Sequence, residues 1–107
     1  NTILPLIAKS SIGQVSAECG AFQVQPDVLD CLTDKEVVVG VIDVGIDEVA
    51  TPVLVAEGIR NVLKHVGPEK LIACTDCGMV PRSRFAAEGK MRSLATGTAL
   101  VNREIGI

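Results

Sequence analysis

The chain has 107 residues, 48% of them apolar, and a formal net charge of −3. That is room for one domain with a core of its own, and the composition is too apolar for a disordered chain. There is no basic stripe, no aromatic platform (two Phe, no Tyr, no Trp) and no apolar run near the roughly 20 residues of a membrane span, which argues against nucleic acid and against a membrane as partners.

With so few aromatics the core must be Val, Ile, Leu and Ala, the usual filling of parallel-sheet α/β proteins. No signal peptide is visible. The chain begins at Asn1 rather than at a methionine, as expected of a processed chain or of a piece of something longer. The four cysteines, at 19, 31, 74 and 77, sit among long periodic apolar segments rather than in a dense loop-rich scaffold. That usage predicts free thiols in a reducing, cytoplasmic setting.

Residues 2–9 read as the end of a helix or a connector, and 10–13 as a loop. Gln14 to Glu18 alternates weakly and predicts a short strand, ended by Cys19-Gly20. Residues 21–26 read as a loop. Asp27 to Leu32 predicts one or two helical turns, with Asp27 as cap and Cys31 in the core. Lys35 to Val44 is the clearest strand. Its unbroken apolar-or-glycine run from Val37 to Ile42 is the signature of burial on both faces. After a polar loop, Thr51-Pro52 predicts a helix start, Thr as cap and Pro at the first helical position. Val55, Ile59, Val62, Leu63 and Val66 define its apolar face, and Gly67-Pro68 stops it. Leu71 to Cys74 is a further strand. A last helix is predicted from about 83 to about 101, with Ala87, Met91, Leu94, Ala95 and Thr98 on its stripe, weakened by Gly89 and Gly97.

The order β-α-β-α-β-α implies parallel strands joined by helical crossovers. Three strands leave two open edges, and a complete (β/α)8 barrel takes about 250 residues. The expected fold is therefore α/β: a partial (β/α)8 TIM barrel of three βα units, residues 1–107 forming one portion of it. Its edges must be covered by self-association or by the rest of a barrel.

Chemistry concentrates at the strand ends. Glu18, Asp43 and Cys77 each fall at or just past the C-terminal end of a predicted strand, and in a parallel barrel those ends share one rim. Each has an ordinary reading as well: Glu18 a solvated carboxylate, Asp43 a loop or helix cap, Cys74 a small buried hydrophobe. Cys74-Thr-Asp-Cys77 is a C-x-x-C, a spacing that suits a metal or a redox pair. Cys19 neighbours Glu18 and should point to the opposite face. His65, near a helix C-terminus and away from the rim, reads as structural. Arg82 and Arg84 could clamp an anionic substrate or simply be solvated.

The segment Glu69-Lys-Leu-Ile-Ala-Cys-Thr-Asp-Cys-Gly-Met79 resembles the last barrel strand of the cobalamin-independent methionine synthases, with their D-C-G motif. Val39-Gly-Val-Ile-Asp-Val44, followed by a Thr-Pro helix start, resembles the strand before it, and Ser16-Ala-Glu-Cys-Gly20 the one before that. The resemblance runs from about residue 4 to about residue 104. It implies a (β/α)8 barrel, with a zinc ion held by a His-x-Cys pair, a glutamate and a final cysteine. Glu18 matches that glutamate and Cys77 that cysteine, and Cys74 is a further thiol where the family has Asn. The His-x-Cys pair would lie before Asn1. Asp43 matches a position near the substrate.

The implied chemistry is transfer of a methyl group from a folate-type donor to a homocysteine-like thiol, with zinc lowering the pKa of the acceptor thiol. Gly45 stands where the family's methionine synthases carry a proton-donating histidine, so other thiols and donors stay open. With half of a ligand set, the chain alone is expected to be inactive. Two other classes compete with this reading: a C-x-x-C thiol redox module and a non-catalytic assembly piece.

Overall fold

A computed structural model describes residues 3–20 and 25–106. The elements in chain order are α1 (Ile3–Ala8), β1 (Gln14–Glu18), a 3-10 helix (Pro26–Leu32), β2 (Glu36–Ile42), α2 (Pro52–Leu63), a short 3-10 turn (Pro68–Lys70), β3 (Leu71–Thr75) and α3 (Arg84–Glu104). The strands form one parallel sheet in the order β1-β2-β3. This is the α/β arrangement that the alternation implies; β1 falls where the sequence places it, and α2 starts where predicted but ends at Leu63, before Val66.

Local chemistry accounts for the boundaries. Thr51 caps α2: its hydroxyl accepts from the Leu54 N–H at 3.2 Å, and Pro52 occupies the first turn, where no N–H is missed. Ser83 does the same for α3 through the Ala86 N–H at 3.1 Å. Asp27 is not a cap. The 3-10 helix starts one residue earlier, at Pro26, and no side chain caps it. Of the loop expected over 21–26, residues 21–24 lie outside the described residues. Cys31, expected in the core, is exposed, with its thiol donating to the Val28 carbonyl at 3.3 Å. It occupies the outer side of a short helix whose inner side is Leu29 and Leu32.

The core lies on one side of the sheet. Ala17, Val37 and Val39 pack with Leu29, Leu32, Val62 and Val66, and a second group joins Ile42, Val55, Ala56, Ile59 and Val101. A register shift between Gly40 and Ile42 makes Val41 the extra residue. It lets Ile42, two per cent exposed, pack among the helices along with Val37 and Val39. The other face of the sheet is open: Ser16 is exposed, Val38 half-buried and Ile72 46% exposed. The apolar run in β2 predicts burial on both faces. Among the described residues only one is covered, because no described element crosses the other.

Helix α3 corrects the predicted stripe by one position. Its buried residues are Ala86, Lys90, Ser93, Gly97 and Val101, whereas Met91 is 51% exposed and Ala95 is exposed. Gly97 is why. A Cβ there would lie 2.7 Å from Val55 Cγ1 and 2.9 Å from the Pro52 carbonyl oxygen. At Gly89 a Cβ would meet Val49 at 3.0 Å. The helix lays its backbone, not a row of large side chains, against α2 and the loop before it. No helix among the described residues is long and apolar enough to cross a membrane.

Candidate functional site

The strand ends at the C-terminal edge carry the candidate groups, and the register relates them. Glu18 pairs with Gly40, and Gly40 with Cys74. Paired residues in a sheet share a face, so Glu18 and Cys74 flank Gly40 on the open face, two strand spacings or roughly 10 Å apart. Between them the central position has no side chain. The space is taken by Asp76: a Cβ on Gly40 would lie 2.7 Å from Asp76 Cα and closer still to its carboxylate. Asp76 Oδ1 accepts from the Gly20 N–H at 2.9 Å, and the Asp76 N–H donates to the Ile42 carbonyl at 2.9 Å. Cys77 follows directly, exposed in the loop, where its carbonyl accepts from the Thr75 hydroxyl at 2.9 Å.

Burial pushes the Cys74 thiol up, and the negative charge of Asp76 adds to that shift. The same two causes, in the same order, raise Cys19. Both therefore favour the neutral thiol, the opposite of the lowered values that make cysteines reactive. Cys19 packs against the helix-side core, as alternation from Glu18 requires.

Asp43 serves its own loop. Its Oδ1 accepts from the Gly45 N–H at 2.8 Å, closing a tight turn. Its carbonyl accepts from Lys90 Nζ at 2.8 Å, and the same ammonium donates to the Glu48 carbonyl at 2.6 Å. Lys90 is one per cent exposed, so α3 holds this loop with a buried cation that sequence reading treats as an ordinary helix lysine. A cavity of about 520 Å³ opens on the helix side of the same loop, touching Asp43, Lys90 and Cys19 but not Glu18, Cys74 or Cys77.

Arg82 turns away from any clamp. Its Nη1 donates to Asp47 at 3.1 Å, tying the cysteine loop to the loop after β2. Arg84 is solvated and pairs with Glu88 one turn on. His65 Nδ1 lies 2.7 Å from Asp30 Oδ1, a structural tie between the end of α2 and the 3-10 helix. Among the described residues no cluster of three or more His, Cys, Asp or Glu side chains is arranged to hold a metal. What the chain offers is one carboxylate strand end and one thiol loop, cross-linked through Asp76.

No family model matches the chain. Curated relatives do. A methionine synthase of Thermococcus kodakarensis is 37% identical over 79 residues, covering 74% of this chain and 24% of that protein. One from Sulfurisphaera tokodaii is 30% identical over 101 residues, covering 94% of this chain and 30% of that protein. Among solved structures, a B12-independent methionine synthase from Shewanella sp. W3-18-1, in complex with selenomethionine, superimposes with a TM-score of 0.92 at 38% identity. That match covers 96% of this chain and 30% of the other. The chain thus spans less than a third of the length of these relatives, and by both sequence and fold it belongs to the cobalamin-independent methionine synthase family.

Proposed function

We propose that the chain is the C-terminal portion, three βα units long, of a (β/α)8 barrel that transfers a methyl group from a folate-type donor to a homocysteine-like thiol in methionine biosynthesis. The observation that carries this is the superposition over 96% of the chain on a B12-independent methionine synthase. The open sheet face supports it. So do Val80, 96% exposed, Phe85, 85% exposed, and Met91, 51% exposed: apolar surface left uncovered among the described residues. The remaining barrel strands are the proposed cover, in a reducing cytoplasm that suits the free cysteines.

Glu18 and Cys77 are the proposed zinc ligands of this portion. A carboxylate and a thiol are donors zinc accepts, and Asp76, next to Cys77, bonds the Gly20 N–H two residues past Glu18. They make half of a four-ligand set, so the fit is partial and the other ligands must come from outside the chain. Bound there, zinc would lower the pKa of an acceptor thiol so that its thiolate forms near neutral pH. Cys74 fits the role less well: it is held as a neutral thiol, with the Asp76 carboxylate between it and Glu18. That same raised thiol weighs against a C-x-x-C redox module, which needs a lowered one. Asp43 is proposed to face substrate only through its loop, since its carboxylate is engaged by Gly45.

The test is zinc content and methyl transfer measured on the purified chain, beside Cys77→Ser and Glu18→Gln. The expected result is no methyl transfer, with weak zinc binding that both substitutions abolish. Transfer at a rate comparable with a full-length relative would overturn the incomplete-barrel reading, and zinc retained equally by both variants would overturn the ligand assignment.

A further inference from the structure

We infer that Asp76 is a positioning residue, a brace that sets the distance between the Glu18 strand end and the Cys77 loop by reaching across the bare Gly40. This rests on the proposed ligand roles of Glu18 and Cys77. The geometry behind it is independent of any metal. Asp76 directly precedes Cys77, and its Oδ1 accepts from the N–H of Gly20, two residues past Glu18. Its own N–H donates to the Ile42 carbonyl, so the residue is fixed to the central strand at one end and to the turn just past β1 at the other.

β1 and β3 are not neighbours: β2 lies between them. Sheet hydrogen bonds therefore link the Glu18 and Cys77 ends only through β2, and the Asp76 side chain adds a direct tie. It can cross only where the central strand offers no side chain, and Gly40 is that place. With a Cβ there, 2.7 Å from Asp76 Cα, the Asp76 backbone itself would have to shift. A carboxylate spanning to a backbone N–H makes a short charge-assisted bond, stronger than a neutral one. Partners that orient metal ligands without touching the metal typically hold roughly 10- to 100-fold of metal affinity.

The brace predicts the behaviour of two substitutions at residue 76. Asp76→Ala removes the acceptor, whereas Asp76→Asn keeps an oxygen for the Gly20 N–H. Zinc affinity of the whole chain is read by competition with a chromophoric chelator, and exchange of the Gly20 amide hydrogen by NMR. We expect Asp76→Ala to weaken zinc roughly 10- to 100-fold and to deprotect the Gly20 amide. Asp76→Asn should restore both to within a few-fold. Gly40→Ala, which displaces Asp76 without touching its chemistry, should behave like Asp76→Ala.

A Gly20 amide that exchanges equally in wild type and Asp76→Ala overturns the brace. Deprotection without any change in zinc affinity overturns the positioning role. If the wild-type chain takes up no zinc, the ligand reading fails, and the brace is then decided by Gly20 exchange alone. Should Asp76→Ala fail to fold, the Asp76→Asn and Gly40→Ala pair decides: loss in the second without loss in the first supports the brace, and equal behaviour overturns it.

Discussion

Helices α2 and α3 pack against each other, yet they meet the sheet and one another by different means. α2 presents an apolar stripe of Val55, Ile59 and Val62, with Ala56 among them, all four per cent exposed or less. α3 presents Ala86, Lys90, Ser93, Gly97 and Val101. One helix buries side-chain area. The other comes close enough to bury backbone and uses its one long buried side chain to satisfy two loop carbonyls. Apolar periodicity reports the first kind of face and misreports the second, because small residues are what close approach demands and hydropathy does not record them.

The largest expected effect breaks the α3 side of that contrast. Lys90→Ala strands the Asp43 and Glu48 carbonyls in a buried site, each costing on the order of 1–3 kcal/mol, and should lower unfolding free energy by about 3 kcal/mol in urea denaturation. A loss below about 0.5 kcal/mol would mean that water serves these carbonyls as well as the ammonium does. Next, Gly97→Val forces a branched side chain into a space where even a Cβ sits 2.7 Å from Val55, and should cost about 1–3 kcal/mol despite the better helix propensity of valine. An unchanged midpoint would show that the two helices can separate freely.

The smallest effect tests where the helices meet in water. Arg60 Nε donates to Glu104 Oε2 at 2.9 Å, an exposed link from α2 to the end of α3. That hydrogen bond holds the Glu104 carboxyl below its usual range. A carboxyl with a lowered folded-state pKa contributes stability above the ordinary carboxylate range and loses it as pH falls through that range. The difference in thermal midpoint between wild type and Glu104→Gln should therefore be small at neutral pH and close on acidification. A difference that widens in acid would reverse the sign and rule out the pair as its source.

Much of the frame is legible in the sequence, for reasons that are local. Thr51-Pro52 writes a helix start in two adjacent residues, and the run from Val37 to Ile42 writes a strand in six. The misses are the places where distant residues decide. Cys31 is apolar enough for a core but sits on the outer side of a 3-10 helix. The α3 stripe shifts because Val55 and Pro52 approach Gly97. In the candidate site, the strand-end positions of Glu18 and Cys77 follow from element boundaries alone. The role of Asp76 does not, since its partner Gly20 lies 56 residues away and no periodicity links them.

The unpaired edges carry a numerical consequence. All three strands run parallel, and β1 and β3 each have one free side among the described residues. A parallel edge is extended in kind only by another parallel strand, so identical copies would join the β3 side of one to the β1 side of the next, head to tail. Such contacts either close into a ring or continue as a filament. Strands would then accumulate in threes, and no multiple of three equals the eight of a (β/α)8 barrel. Copies of this chain alone cannot reproduce that closure. A count of eight would need a complement of different sequence that contributes the five strands left over.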